Sequence, residues 1–289
     1  MGFPLDRATI EAAFLRACHA ELEALKPGNV HIHGAGHGMD TEHFERAAAA
    51  AAPFLADPTR GVGARILGAV GASVAETGLN TNLGIVLLCA PLAAAAGLRD
   101  GAPDLRDRLA RVIDALDRSD ADQAFQAIVI AKPAGLGRAE QGDVNVPPTM
   151  TLKEAMEIAS KRDRISRAYV TRFEDIFEHG LPELYAARRA AENESLAITA
   201  LHMSFLASFA DSHISRKYGI EVAEAVQREA QEAEALWRPA PRPETWPGLL
   251  NLDRSLKARA LNPGTTADFV VGTLFADMLI RQSATNRLS

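Results

Sequence analysis

Apolar residues along this chain recur mostly at intervals of three and four positions, which is the spacing of one face of an α-helix. Ile85, Leu88, Cys89 and Leu92 form the clearest stripe of this kind, and residues 66–74 form a weaker one. Aromatic residues make up only 6% of the chain, β-branched residues rarely cluster, and Ala, Leu, Glu and Arg fill the long segments. These residues favour helix over strand. The pattern therefore predicts an all-α fold in which the stripes are core faces.

The same pattern, with its helix start and stop signals, predicts the positions of twelve helices. They are expected over residues 9–25, 40–55, 61–77, 82–96, 104–117, 120–131, 151–178, 182–189, 195–218, 220–236, 247–260 and 265–281. Thr151 with Glu154 has the form of a capping box, and Gly180 has the form of a glycine stop, so 151–178 is predicted as one long helix. No repeat of solenoid length is evident. We expect a single compact helical domain over residues 1–289, with a long glycine- and proline-rich connector near its middle.

Composition and charge exclude several classes of protein. The chain has 289 residues, 47% of them hydrophobic, with a formal net charge of −6, which argues against a disordered tail, a disulfide scaffold and a nucleic-acid partner. Cys18 and Cys89 lie in apolar helical patterns and are expected to be buried thiols in a reducing compartment. The chain begins without a basic segment followed by an apolar core, and its most apolar stretch, 83–98, is too short to span a membrane. We expect a cytoplasmic protein with no membrane partner.

Lys26-Pro-Gly-Asn29 follows the first predicted helix, where proline and glycine end it. Such a turn can bind phosphate through backbone amides and the lysine ammonium, although it is also a common helix end. Four histidines follow within a short stretch, and such a density suggests a metal site. Because no cysteine pair or helical His-x-x-x-His accompanies them, a polar loop is favoured over zinc. The four histidines are His31, His33, His37 and His43.

Glu76-Thr-Gly-Leu-Asn-Thr-Asn82 separates two predicted helices. Gly78 is suited to end the first, and Asn82 is suited to cap the second. Capping does not explain why Asn80, Thr81 and Asn82 stand together. Their donors and acceptors suit ribose hydroxyls, base edges or phosphate oxygens.

Asn262-Pro-Gly-Thr-Thr-Ala-Asp268 leads into the last predicted helix, with Thr265 as its expected N-cap. The amides of that first turn would form an anion site. Asp268 is either an ordinary capping acid or a Mg²⁺ ligand that bridges to a polyphosphate.

A set of charges is predicted on one side of the helix at 151–178. Lys161, Arg164 and Arg172 would be able to reach a triphosphate from there. Charged helix faces are usually only solvated, and that alternative stays open. The acids nearby are Asp163, Glu174 and Asp175.

In their order along the chain, these motifs resemble the triphosphoribosyl-dephospho-CoA synthase family. The resemblance rests on Lys26-Pro-Gly-Asn-Val30, on His37 with Met39 and Phe44, on Asn80-Thr-Asn-Leu-Gly84 and on Asn262-Pro-Gly-Thr-Thr-Ala-Asp268. Lys132-Pro-Ala-Gly-Leu-Gly137 and Arg162-Asp-Arg-Ile-Ser-Arg167 also resemble segments of shorter archaeal and bacterial relatives. The resemblance implies an all-helical transferase that uses Mg²⁺ and ATP and makes a prosthetic-group precursor for citrate or malonate decarboxylating lyases.

In the implied reaction, the 2′-hydroxyl of dephospho-CoA attacks the anomeric carbon of ATP, and adenine leaves. The resemblance implies catalytic roles for Glu76, Asp268 and His37, with Glu76 and Asp268 as Mg²⁺ ligands or base and His37 as the acid. The residues implied in nucleotide or substrate binding are Lys26, Gly28, Asn29, Asn80, Thr81, Asn82, Lys132, Asn262, Gly264, Thr265 and Thr266.

This chain departs from the family pattern at three places. Asn-Thr-His-Lys-Gly becomes Asn80-Thr-Asn-Leu-Gly84, Pro-Gly-Gly-Ser-Ala-Asp becomes Pro263-Gly-Thr-Thr-Ala-Asp268, and His-Asp-Met becomes His37-Gly-Met39. The acceptor therefore stays open. The alternatives are an ATP-dependent enzyme, a kinase among them, in the biosynthesis of a pterin- or furan-type one-carbon carrier, and a non-catalytic nucleotide-binding scaffold. A monomer and a homodimer are both open.

Overall fold

The computed structural model describes residues 3–36, 38–99, 101–133, 135 and 142–286. Across these residues the chain forms fifteen α-helices, one π-helix and no β-strand, so the all-α prediction is confirmed. The α-helices are α1 Arg7–Glu23, α2 Thr41–Leu55, α3 Val62–Thr77, α4 Leu83–Gly97, α5 Leu105–Asp114, α6 Arg118–Ala131, α7 Leu152–Ala159, α8 Arg164–Val170, α9 Leu181–Ala190, α10 Glu194–Ser208, α11 Ser212–Tyr218, α12 Ile220–Glu232, α13 Glu234–Trp237, α14 Trp246–Ala258 and α15 Gly264–Thr285. The π-helix, Asp175–Gly180, precedes α9.

The helices assemble into two compact units, each built from separate stretches of chain. The first unit comprises residues 1–17, 43–174 and 274–289, and the second comprises 18–42 and 175–273. The expectation of one domain over 1–289 stays a prediction. Among the residues described, no helix has both the length and the hydropathy to cross a membrane.

The first unit is organised around α4, which packs against α3, α5, α6 and α8. Its apolar side chains are buried nearly all round, as expected of a core helix. The Tyr169 hydroxyl of α8 donates to the carbonyl of Leu87 at 2.6 Å, which satisfies a buried polar group. Cys89 on α4 is buried, as predicted. Cys18, which belongs to the second unit, is also buried as predicted, and burial raises the pKa of its thiol.

The second unit has its own apolar core, to which α10, α12 and α14 contribute most of the side chains. The Trp237 indole N–H donates to the carbonyl of Ala230 at 3.1 Å, so this large ring is buried without an unpaired donor. The core side chains are Leu25, Met203, Leu206, Ile214, Ala223, Val226, Ala230, Trp237, Leu249, Leu256 and Leu261.

The predicted helix 151–178 is wrong beyond its first two turns. The capping box of Thr151 and Glu154 is present, but α7 ends at Ala159. Asp163 then caps a new helix, its carboxylate accepting from the Ser166 amide at 2.9 Å. After α8 come two residues with a left-handed φ, Arg172 and Phe173, and then the π-helix. The predicted charged face is therefore broken up, and Arg172 donates to Asp114 at 3.0 Å instead.

Gly180 is not the predicted left-handed stop, because its φ of −60° and ψ of −51° are helical. A Cβ there would lie 2.5 Å from the Thr273 hydroxyl, so close packing requires the glycine. The predicted helix 195–218 is also two helices, since α10 ends at Ser208 and Asp211 starts α11. Residues 238–245 are non-helical, in agreement with the gap between the predicted helices 220–236 and 247–260.

Gly63, at the start of α3, allows this helix to approach the first turn of α6. Its amide donates to the Asp120 carboxylate at 2.7 Å, and a Cβ would lie 2.5 Å from the Asp120 Cα. We expect Gly63→Ala to lower the free energy of unfolding by about 1–3 kcal/mol, because backbone atoms cannot move aside as a side chain can.

Gly71, in the same helix, provides the matched control. A Cβ there would meet nothing within 4 Å. Gly71→Ala should therefore stabilise the protein by up to about 1 kcal/mol through helix propensity alone. Urea titrations of both variants measure the difference, and equal effects of the two substitutions would contradict the close approach.

Candidate functional site

Two motif turns meet in the second unit. The Asn29 side-chain amide donates to Asn262 Oδ1 at 2.8 Å, which joins residues 233 positions apart. Gly28 has a φ of +87°, and a Cβ on it would lie 2.8 Å from Pro263 Cδ and 3.0 Å from the Leu261 carbonyl. Only glycine fits both the backbone conformation and the space. The sequence motifs at 26–29 and 262–268 thus form one polar cluster.

Lys26 is fully buried beneath this junction. Its ammonium is paired with the carboxylate of Glu21, in the last turn of α1. It also donates to Asn29 Oδ1 at 3.3 Å. Burial lowers the pKa of Lys26, and the nearby Glu21 carboxylate opposes that shift. Burial likewise raises the pKa of Glu21, against the effect of Lys26. A lysine expected to meet phosphate therefore already has an internal carboxylate partner, which sequence reasoning missed.

Asp253, on α14, holds the amide of Gly28. Its Oδ1 accepts from that amide at 2.9 Å, although 225 residues separate the two. His31 Nε2 lies 3.3 Å from the same oxygen, and Lys257 Nζ lies 3.1 Å from Oδ2. Burial acts to raise the pKa of Asp253, but hydrogen bonds from His31 and the Gly28 amide bring it below its ordinary value. Asp253 is thus an ionised carboxylate 5% exposed.

Asp211 holds the start of α15. Its Oδ2 accepts from the amide and the hydroxyl of Thr266, both at 2.8 Å, and its Oδ1 accepts from the amides of His213 and Ile214. One carboxylate, 1% exposed, therefore caps two helices. The predicted capping role of Thr265 is wrong, because the helix starts at Gly264 and the Thr265 hydroxyl accepts from the His213 amide at 3.2 Å.

The sequence did contain a signal for Asp211. The dipeptide Asp211-Ser212 follows an apolar helix, and both residue types prefer N-cap positions to helix interiors. Continuous apolar spacing over 195–218 hid this break. Asp268, one turn into α15, is half-buried and close enough to Lys26 to act on it electrostatically.

The first unit contains the Asn80–Asn82 cluster. Gly78 ends α3 in the left-handed conformation, as predicted, with a φ of +70°. Asn82 stands at the N-cap of α4 but does not cap it through its side chain. Its amide donates to Ser73 Oγ at 2.9 Å, and Asn80 Oδ1 accepts from the Leu83 amide at 3.3 Å instead. The Thr81 hydroxyl is buried and finds no hydrogen-bond partner among the residues described.

Three further predicted residues have different surroundings. The Glu76 carboxylate is half exposed, and Arg46 donates to its Oε1 from Nε at 3.0 Å and from Nη2 at 2.8 Å. Lys132 is exposed and left-handed at the end of α6, with a φ of 46°. His37 lies outside the described residues. Within the described part of the chain, no three His, Cys, Asp or Glu side chains form a metal-binding group.

The structure therefore brings the predicted residues together in two groups. Lys26, Gly28, Asn29 and residues 262–268 share the second unit, whereas Glu76 and residues 80–82 share the first. The joint Mg²⁺ site of Glu76 and Asp268 draws on both units and stays a prediction.

The buried pair of Lys26 and Glu21 should be essential to the fold of the second unit. Lys26→Met leaves a buried carboxylate without its partner, and we expect it to lower the free energy of unfolding by about 3–5 kcal/mol. The double variant Glu21→Gln, Lys26→Met should recover part of that loss, which a double-mutant cycle in urea would measure.

Lys153→Met is the matched control for this prediction. Lys153 pairs with Asp114 at 2.6 Å, but both side chains are nearly half exposed. Its loss should cost about 0–1 kcal/mol. Equal losses at Lys26 and Lys153 would show that the buried pair does not stabilise the protein.

The sequence profile of the family described as CitG, ATP:dephospho-CoA triphosphoribosyl transferase, matches residues 7–287. The crystal structure of a protein assigned as a triphosphoribosyl-dephospho-CoA synthase from Archaeoglobus fulgidus matches with a TM-score of 0.63 and 22% identity, over 81% of this chain and 96% of that one. This likeness shows a shared fold. Curated protein sequences give no significant match. Because the profile spans nearly its whole length, the chain belongs to the ATP:dephospho-CoA triphosphoribosyl transferase family and is a transferase.

Proposed function

We propose that this chain transfers the triphosphoribosyl group of ATP to dephospho-CoA. The acceptor's 2′-hydroxyl oxygen bonds to the anomeric carbon of the ribose, and the bond from that carbon to adenine breaks. Adenine leaves and takes up the equivalent of the proton that the hydroxyl loses. The triphosphate stays on the transferred sugar. Such a step passes through an oxocarbenium-like transition state, which needs a base near the hydroxyl and compensation of the triphosphate charge.

The observation that carries this proposal is the junction of the turn at 26–29 with the start of α15. The contact from Asn29 orients the Asn262 side chain, and α15 directs the positive end of its dipole toward the same place. We assign the triphosphate to this junction, where it would contact Asn262, Gly264 and Thr265. The buried ammonium of Lys26 would contribute positive charge without touching the triphosphate. Gly28, Asn29 and Thr266 then act mainly by shaping the site, since their polar groups bond to Asp253, Asn262 and Asp211 respectively.

Asp268 is our candidate for the Mg²⁺ ligand. A half-buried carboxylate next to a triphosphate site has the donor chemistry that Mg²⁺ prefers, and Mg²⁺ commonly takes one or two carboxylates and completes its shell with phosphate and water. When bound, the ion would neutralise part of the triphosphate charge. Glu76 remains our second candidate for ligand or base, His37 for the acid, and Lys132 for a further nucleotide contact.

Asn80, Thr81 and Asn82 are assigned to the ribose or the base. Asn82 is fixed by Ser73, and the buried Thr81 hydroxyl has hydrogen-bonding capacity that no described residue uses. Unpartnered buried polar atoms are uncommon in folded proteins, and a bound ligand is one explanation for such an atom.

Product analysis tests the proposed function directly. Purified protein is incubated with Mg²⁺, ATP and dephospho-CoA, and the nucleotides are separated by chromatography. We expect free adenine in amounts equal to the acceptor consumed, and its loss on chelation of Mg²⁺. ADP would instead indicate a kinase, and unchanged ATP with measurable binding would indicate a scaffold. Pterin- and furan-type acceptors, run in parallel, test the one-carbon alternative.

Thr81→Val separates a role in binding from a role in folding. Valine matches threonine in shape and removes only the unpartnered hydroxyl, so the melting temperature should stay the same or rise. If the hydroxyl binds ATP, KM for ATP should increase about 3- to 10-fold. Thr171→Val is the control, because the Thr171 hydroxyl, just after the end of α8, donates to the carbonyl of Arg167 one turn earlier. Unchanged kinetics in both variants would remove Thr81 from the site.

A further inference from the structure

We propose that Asp253 and Lys257, one turn apart on α14, are positioning residues for the segment 26–36. The sequence motifs assign neither residue a role. The proposal rests on the proposed function, because this segment contains Lys26, Gly28 and Asn29, which shape or charge the triphosphate site. The two side chains hold the segment at different points, and each contact joins residues more than 220 positions apart.

Asp253 fixes the near end of the segment. The positive φ of Gly28 turns its amide toward Asp253, and the 2.9 Å hydrogen bond is formed with a buried, ionised carboxylate. Charge-assisted bonds of this kind are roughly twice as strong as neutral ones. The bond holds Gly28 in the position where it packs against Pro263.

Lys257 fixes the far end. Its ammonium lies 3.0 Å from the Gly34 carbonyl, 3.1 Å from Asp253 Oδ2 and 3.1 Å from His31 Nε2. The Gly34 carbonyl and the Asp253 carboxylate accept from the ammonium, whereas His31 Nε2, whose own hydrogen bond goes to Asp253, lies beside it. The lysine stem lies against two glycines, where added Cβ atoms would come within 3.1 Å of Nζ at Gly34 and 3.2 Å of Cε at Gly36. The missing side chains at both glycines therefore allow the contact.

His31 fills the space between the two anchors. It is 1% exposed, and burial lowers its pKa. Its Nε2 donates to Asp253 Oδ1 at 3.3 Å, so the ring is held by the same carboxylate that accepts from the Gly28 amide. Side chains of the single helix α14 thus hold Gly28, His31 and Gly34 in position.

Helix α14 is a firm base for such anchors, because Leu249 and Leu256 are fully buried in the core of the second unit. The segment itself contains three glycines, at 28, 34 and 36. Glycine-rich backbone has more conformational entropy to lose on ordering. Anchoring it in advance lowers the entropy cost of binding a nucleotide, as a supporting shell does for a binding site.

Hydrogen–deuterium exchange tests the anchoring without any substrate. Lys257→Met keeps most of the side-chain length and removes the charge, and Asp253→Asn keeps one oxygen acceptor for the Gly28 amide. Peptides covering 26–36 should exchange roughly 10- to 100-fold faster in Lys257→Met. Loss of one charge-assisted hydrogen bond changes the opening equilibrium by about this factor. Asp253→Asn should have the same effect, smaller and concentrated near Gly28.

Arg254→Met is the matched control on the same helix. Arg254 is exposed, and its side chain bonds only within α14, to Leu250 and Asn251, in the contacts that the structure shows. Exchange in 26–36 should be unchanged in this variant. Circular dichroism and thermal unfolding of all three variants verify that they fold.

Kinetics then distinguish a positioning role from a purely structural one. KM for ATP should rise by roughly 10-fold or more in Lys257→Met, because small displacements of a binding group can cost up to about 100-fold. The value of kcat should change much less. Unchanged exchange, or faster exchange with an unchanged KM, overturns the proposal. If the wild-type protein releases no adenine, the proposed function fails before any substitution is made, and the exchange comparison decides the anchoring by itself.

Discussion

The close approach of Gly28 to Pro263 is the constraint on which the candidate site depends. It requires a residue with a positive φ and no side chain in the turn that follows the first helix. Once that approach is made, the Asn29 and Asn262 side chains come within hydrogen-bond distance, and the Gly28 amide reaches Asp253. Any larger residue would separate the two motif turns, and the polar cluster of the second unit would not form.

Internal carboxylates compensate the charges and dipoles around this junction. Glu21 is paired with Lys26, Asp253 accepts from a backbone amide beside a lysine, and Asp211 accepts four hydrogen bonds at two helix starts. Burying a charge is costly unless it is paired and hydrogen-bonded, and each of these carboxylates meets that condition. The same donors that make helix starts good anion sites are thus used in part by the protein's own acids. A triphosphate at this junction would meet a site shaped in advance by these bonds.

The cluster in the first unit is organised differently. It has no buried ion pair of the Lys26–Glu21 kind among its described members, and its order comes from the left-handed Gly78 and from the bond between Asn82 and Ser73. These contacts fix the polar side chains between α3 and α4 while leaving the Thr81 hydroxyl without a partner in the described residues. The two clusters therefore differ in kind, since one contains paired charges and capped helix starts and the other contains neutral hydrogen-bonding groups.

The sequence by itself determined the helical class, most helix positions and the turns at Lys26-Pro-Gly, Gly78 and Asn262-Pro-Gly, because periodicity, capping and glycine act locally. The tertiary structure decided the rest. The breaks at Ala159 and Ser208 interrupt an apolar spacing that looks continuous in the sequence. The partners of Gly28, Asn29 and Thr266 are set by long-range packing. Asp253 has no motif of its own, and the sequence shows only the local capping role of Asp211, since their contacts with Gly28 and Thr266 arise only when segments distant in sequence are brought together. Local preference fixes where a turn lies, whereas the fold fixes which groups it faces.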